Sequence, residues 1–240
     1  MTPPSAGEVR ARLAEIRAAR GFVLPHHGAM AAALPDLHAA YEAMYRALTL
    51  DDHHLPPHAK EVVWLAILAA CREPVGTHHL HRFRTTGGTE GEAATVFRLA
   101  AWAGGAARYA TLAANWQGQL RGLDLAAEYR AGASALIAGS PIDEATARLA
   151  LVAVQTACDE PWGLAAEIEA AYAAGVPETQ LAEAMSLAIW PRGVNPFVRA
   201  TAVWLRLMQD GRVTPSAAFR AWAETPGQGA FVAPTASPPG

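Results

Sequence analysis

Apolar and polar residues alternate along this chain with the period of helices throughout. Apolar positions recur three and four apart over 6–19, 36–48, 77–86, 106–118, 124–138, 163–173 and 194–209. No segment shows the strict alternation of a half-buried strand. The helix starts are also readable. Pro56 and Pro57 stand where a first turn tolerates proline, ahead of HAKEVVWLAILAAC. Thr89 to Glu92 form a capping box before AATVFRLAAWA. Ser140, Pro141 and Asp143 precede EATARLALVAVQTAC, Pro177 opens ETQLAEAMSLAIW, and Thr214-Pro215 opens a short piece ending near Ala223. From Thr225 onward the periodicity stops, and a loose tail is expected. The run from Val62 to Ala70 is apolar nearly all round, which suits a buried central helix. The pattern predicts an all-α chain with no sheet.

The same pattern occurs twice. An offset of 87 residues lays ACREPVG (70–76) on ACDEPWG (157–163) and Cys71 on Cys158. An offset of 88 lays Trp102 on Trp190, Gly105 on Gly193, Tyr109 on Phe197, Trp116 on Trp204, Asp36-Leu37 on Asp124-Leu125 and Tyr41 on Tyr129. Neither copy is large enough to bury its own apolar face, so the two should pack together with pseudo-twofold symmetry. The expected organisation is an N-terminal helical arm (1–35), a first, functional repeat (36–120) and a second, structural repeat (121–210). A short helix and loose tail (211–240) follow.

Composition narrows the setting. With 52% hydrophobic residues the chain is not disordered, and a net charge of −3 gives no reason to expect nucleic acid or anionic lipid as a partner. The longest apolar run, Val62 to Cys71, is half of what a bilayer span of about twenty residues needs. The first residues hold no apolar signal region, and two cysteines do not make a disulfide framework. A cytoplasmic protein with reduced thiols is expected. Cys71 and Cys158 both end apolar helices and read as structural thiols.

The candidate chemistry lies in the first repeat. All nine histidines fall between His26 and His81. At the 87-residue offset Glu61, His78, His79 and His81 meet Arg148, Ala165, Ala166 and Ile168, so the second repeat is expected to lack polar equipment. In CREPVGTHHLHRF, Thr77 suits a helix N-cap and His78 and His79 the first turn. The positive end of a helix dipole disfavours imidazolium, and a neutral imidazole can act as a base. Glu61 is either its partner or a solvated carboxylate beside Lys60. Arg72 and Arg82 are candidates to hold a substrate carboxylate. His26, His27 and His38 read as surface histidines. His54 and His58 (i, i+4) and His78 and His81 (i, i+3) could form two metal-binding pairs, but no HExxH or paired CxxC motif accompanies them, so neither metal nor other cofactor is expected.

The stretch LPPHAKEVVWLAILAACREPVGTHHLHRFRTTGGTEGE, followed by AAWAGGAARY, resembles the carboxymuconolactone decarboxylase and AhpD-like superfamily. The matching positions are Leu55, Glu61, His79, Gly87, Thr89 and Glu92, with Trp102-Ala103-Gly104 standing loosely for a Tyr-Ala-Gly step of the decarboxylase branch. Gly175-Val-Pro-Glu and Trp190 keep the frame in the second repeat, so the resemblance spans about 20–210. It implies an all-α AhpD-like fold, homo-oligomers (often trimers or hexamers) and a small-molecule site shared by glutamate and histidine. His79, Glu61, His78 and His81 would be catalytic, and Arg72, Arg82 and Trp102 would contact substrate. The peroxidase branch uses a Cys-x-x-Cys pair before its histidine. Counted from His79, those positions hold Arg72 and Val75; counted from His78, they hold Cys71 and Pro74. Acid–base chemistry on a small carboxylate or lactone, by decarboxylation, isomerisation or hydrolysis, is therefore expected. The alternatives are a thiol-dependent alkylhydroperoxidase working through Cys71, a histidine-cluster metalloprotein, and a non-catalytic oligomeric binding protein.

Overall fold

A computed structural model describes residues 4–228; the expected tail beyond 228 lies outside the described residues. Among the described residues every regular element is helical, and the chain forms two compact units, divided after Asp51. The N-terminal unit holds α1 (Ala6–Arg20), α2 (Pro25–Ala33), α3 (Pro35–Tyr45) and a π-helical turn over Arg46–Leu50. Ser5 and Glu8 close a capping box at the start of α1, and Gly21 ends it in the left-handed region at φ 79°. The periodicity did not predict α2, a short Ala-rich piece opened by Pro25.

The second unit runs from α4 (Pro57–Cys71) through α5 (Thr77–Thr85), α6 (Glu90–Ala103), α7 (Ala106–Trp116), α8 (Leu125–Ala138), α9 (Glu144–Cys158), α10 (Pro161–Ala173), α11 (Glu178–Ser186), α12 (Ile189–Arg192) and α13 (Val194–Gln209) to α14 (Ala217–Glu224). Helix α9 is its centre. It packs on α4, α6, α10 and α11, and its residues from Thr146 to Ala157 are all buried. The apolar run of α4 is buried from Val62 to Ile67. The expected single helix after Pro177 is broken between Ser186 and Ile189.

The turns after α4 and α9 have the same geometry. Arg72 and Asp159 both adopt left-handed backbone, at φ 56° and 58°. The carboxylates of Glu73 and Glu160 then accept the N–H of Val75 and Trp162, two residues on. That arrangement corrects one expectation. Thr77 is not an N-cap, because Glu73 has already started a 3₁₀ turn over Pro74–Gly76 that runs into α5 at Thr77. The last turn of each helix emerges ahead of its left-handed cap, so Cys71 is half-buried and Cys158 exposed.

Candidate active site

Helices α4 and α5 form the site. Glu61 sits on the second turn of α4, within that helix's buried stretch, and is itself only 5% exposed. His79, the third residue of α5, is 2% exposed. The helix pair sets His79 Nδ1 2.8 Å from Glu61 Oε2. The imidazole lies flat against the Trp64 indole, with ring centroids 4.3 Å apart. Glu61 is thus no solvated carboxylate; it is the buried partner of the histidine.

Burial dominates the electrostatics of the pair. It pushes His79 down to about 3 and Glu61 up to about 7, with the nearby Arg82 guanidinium the next contributor in both cases. Arg82 disfavours imidazolium and favours carboxylate. The helix N-terminus invoked from sequence is not the main cause; desolvation is. The pair therefore stays short of an imidazolium–carboxylate ion pair and has two states that differ by one proton. Ionised Glu61 accepts Nδ1–H and leaves Nε2 as a bare acceptor. Protonated Glu61 donates to Nδ1 and leaves Nε2 as an N–H donor.

The other sequence candidates fall into separate places. Half-buried His78 packs its ring 4.3 Å from that of His79, whereas His81 faces solvent. Arg82 is half-buried and close enough to act on both members of the pair. Exposed Arg72 lines a cavity of about 470 Å³ with Leu68, Glu73, Thr77, Leu80 and Phe97, a group that does not include His79. Trp102 packs on Tyr129 and Tyr109. His58 is held by Glu92 at 3.0 Å and Thr86 at 3.3 Å, bracing the capping box of α6. The backbone N–H groups of His54 and Leu55 donate to Glu183, which also pairs with buried Lys60. Among the described residues no group of three or more His, Cys, Asp and Glu is arranged to hold a metal ion, so His54, His58, His78 and His81 do not form one.

Two groups of polar residues were misread in the sequence. In the N-terminal unit His27 is fully buried and His38 nearly so, with Arg20, Tyr41 and Glu42 around them. These are not surface histidines: α2 and α3 fold back on α1 and enclose them. In the second unit Arg148 and Glu167 form a buried pair at 3.5 Å, joined by Tyr129 and Gln155. The 87-residue offset sets Ala166 opposite His79. The next residue, Glu167, is buried as well and meets Arg148, so this half of the chain does carry polar equipment. The 88-residue offset of the flanking aromatics was the available signal.

Residues 35–116 match the model of the carboxymuconolactone decarboxylase family. No curated protein and no solved structure matches the chain. The matched residues include the whole of α4 and α5, and with them Glu61, Trp64 and His79. Over these residues, about a third of its length, the chain is similar to the carboxymuconolactone decarboxylase family.

Proposed function

We propose that the chain is an acid–base enzyme in which His79 moves a proton on a small organic carboxylate or lactone and Glu61 sets the state of its ring. The observation behind this reading is the buried 2.8 Å contact between His79 Nδ1 and Glu61 Oε2. A histidine held by one nitrogen presents the other to a substrate, and a carboxyl balanced near neutrality lets that nitrogen alternate between acceptor and donor. Arg82, whose charge acts on both members of the pair, would hold a substrate carboxylate near the ring. Decarboxylation, isomerisation and lactone hydrolysis all need such a proton shuttle, and the family match over 35–116 favours the first.

The thiol peroxidase alternative is the weaker reading. Burial pushes the Cys71 thiol up to about 11, whereas an attacking thiolate needs a lowered value. No second cysteine stands at the expected spacing.

The test is to assay the purified chain on carboxymuconolactone and a panel of small lactones and β-keto acids, following CO₂ release and ring opening. Turnover should fall at least about a hundredfold in His79→Ala and remain in Cys71→Ser. Full turnover in His79→Ala, or loss confined to Cys71→Ser, would overturn the proposal.

A further inference from the structure

We propose that Glu183, on α11, is a positioning residue for the Glu61–His79 pair. It neutralises the buried cation next to Glu61 and ties down the chain ahead of α4, and so governs which of its two states the pair holds. The inference rests on the reading of Glu61 as the group that sets the state of the His79 ring.

Lys60 occupies a poor place for a cation. It is the fourth residue of α4, at the positive end of that helix, and it is buried. A buried charge is costly unless an opposite charge meets it. Glu183 is buried too, and its Oε1 lies 3.4 Å from Lys60 Nζ. Its Oε2 accepts the backbone N–H of His54 at 2.6 Å and that of Leu55 at 2.7 Å. One carboxylate from a distant part of the chain thus holds both the lysine and the backbone that leads into α4. Lys60 directly precedes Glu61, and its charge acts on both members of the pair. It favours carboxylate at Glu61 and disfavours imidazolium at His79. The Glu183 carboxylate offsets that charge.

The start of α9 provides a contrast. At the 87-residue offset Leu55, Lys60 and Glu183 meet Ile142, Ala147 and Val96, all three buried. There the Ile142 N–H donates to Ser140 Oγ at 3.3 Å, two residues away in the chain. A helix start of this kind can therefore be buried and anchored without an ion pair, and the ion pair stands where the acid and base are. The other groups whose charge acts on Glu61 are Arg82 and His78, on α5. On the remaining elements packed against α4, Arg148 of α9 pairs with Glu167, Glu92 of α6 pairs with His58, Arg192 of α12 donates to the Ala157 carbonyl, and Glu73 accepts the Val75 N–H.

The test is ¹⁵N NMR of the His79 ring in the full chain, followed from acid to alkaline pH without substrate. The readout is the pH at which Nδ1 and Nε2 exchange protonated and bare character, about 7 in the unaltered chain. Glu183→Gln leaves Lys60 unopposed and should lower that value by about one pH unit. Lys60→Met removes the cation and leaves the carboxylate, and should raise it by about one pH unit. The double variant should return it to the value of the unaltered chain. A merely structural role would not move the exchange in opposite directions and cancel when the changes are combined. If Glu183→Gln does not fold, the upward shift in Lys60→Met decides. An exchange near pH 7 that neither variant moves would overturn this inference and leave the reading of Glu61 and His79 standing. No exchange in the unaltered chain would overturn that reading, and this inference with it.

Discussion

At the scale of residues, burial is what joins Glu61 to His79. In water Glu61 would lose its proton near 4.5 and His79 near 6.5; under Trp64 the carboxyl keeps its proton up to about 7 and the ring stays neutral. Two consequences can be measured. If bare Nε2 is the working base, kcat/KM should rise tenfold per pH unit below about 7 and level off above it, and Glu61→Gln should abolish that limb. Stability should respond as well. Burial raises Glu61 from 4.5 to about 7, so its contribution is complete below 4.5 and lost as pH rises through about 7. His79 is lowered from 6.5 to about 3, so its contribution is present above 6.5 and lost as pH falls toward 3. The two slopes oppose each other between 4.5 and 6.5. Glu61→Gln removes only the first, so urea unfolding should show the unaltered chain losing stability relative to the variant between pH 5 and pH 8. A pH-independent difference would contradict this. His79→Ala should also cost stability, roughly 1–3 kcal/mol, because it leaves a buried carboxyl without its partner. Glu61 and His79 were legible because histidines crowd one turn and an acid precedes them on an apolar helix. Gln155 and Glu167 were not, because in Ala-rich helices a register error of one residue moves a polar side chain from the core to its neighbour's position.

At the scale of elements, α4–α5 and α9–α10 are joined by turns of the same shape but enclose opposite chemistry. The first pair encloses an acid and a base; the second encloses Arg148 with Glu167, Tyr129 and Gln155. Breaking a buried ion pair strands a charge, so Arg148→Leu should destabilise by roughly 3–5 kcal/mol. Adding Glu167→Leu should recover most of that loss in urea unfolding; no recovery would mean the pair is not what the site lacks. Close packing of α6 on α8 makes a second point. A Cβ at Gly132 would lie 2.1 Å from the Trp102 ring, so Gly132→Ala should cost about 1–3 kcal/mol, although alanine is the better helix former. An unchanged midpoint would show that the indole can move. The helices themselves were legible from caps such as Thr89–Glu92 and Asp143. The start of α5 was not, because Glu73 caps a turn that precedes the helix, and a threonine at the right spacing hides this.

At the scale of the molecule, the all-helical class was legible because periodicity and proline placement agree over most of the chain. The division after Asp51 was not. The Tyr41–Tyr129 pairing at one offset suggested that the first repeat begins near residue 36, and nothing in the apolar pattern marks a boundary inside it. Val75, Leu80 and Phe97 are exposed on α5, α6 and the turn before them. Neighbouring apolar side chains left open to water favour self-association. Multi-angle light scattering at micromolar concentration should give a mass of three or six chains, and Phe97→Glu should shift it toward one. A monomer mass for the unaltered chain would contradict that expectation.

The central claim is that His79 and Glu61 act as one buried, proton-sharing unit, and it can be tested without knowing the substrate. The most direct measurement is ¹⁵N NMR of the histidine rings across pH 5–8, in the unaltered chain and in Glu61→Gln. The account predicts that His79 gives neutral-imidazole shifts throughout, with Nδ1 and Nε2 exchanging protonated and bare character around pH 7, and that Glu61→Gln abolishes the exchange. A His79 ring that titrates to imidazolium near pH 6.5, with or without Glu61, would contradict it.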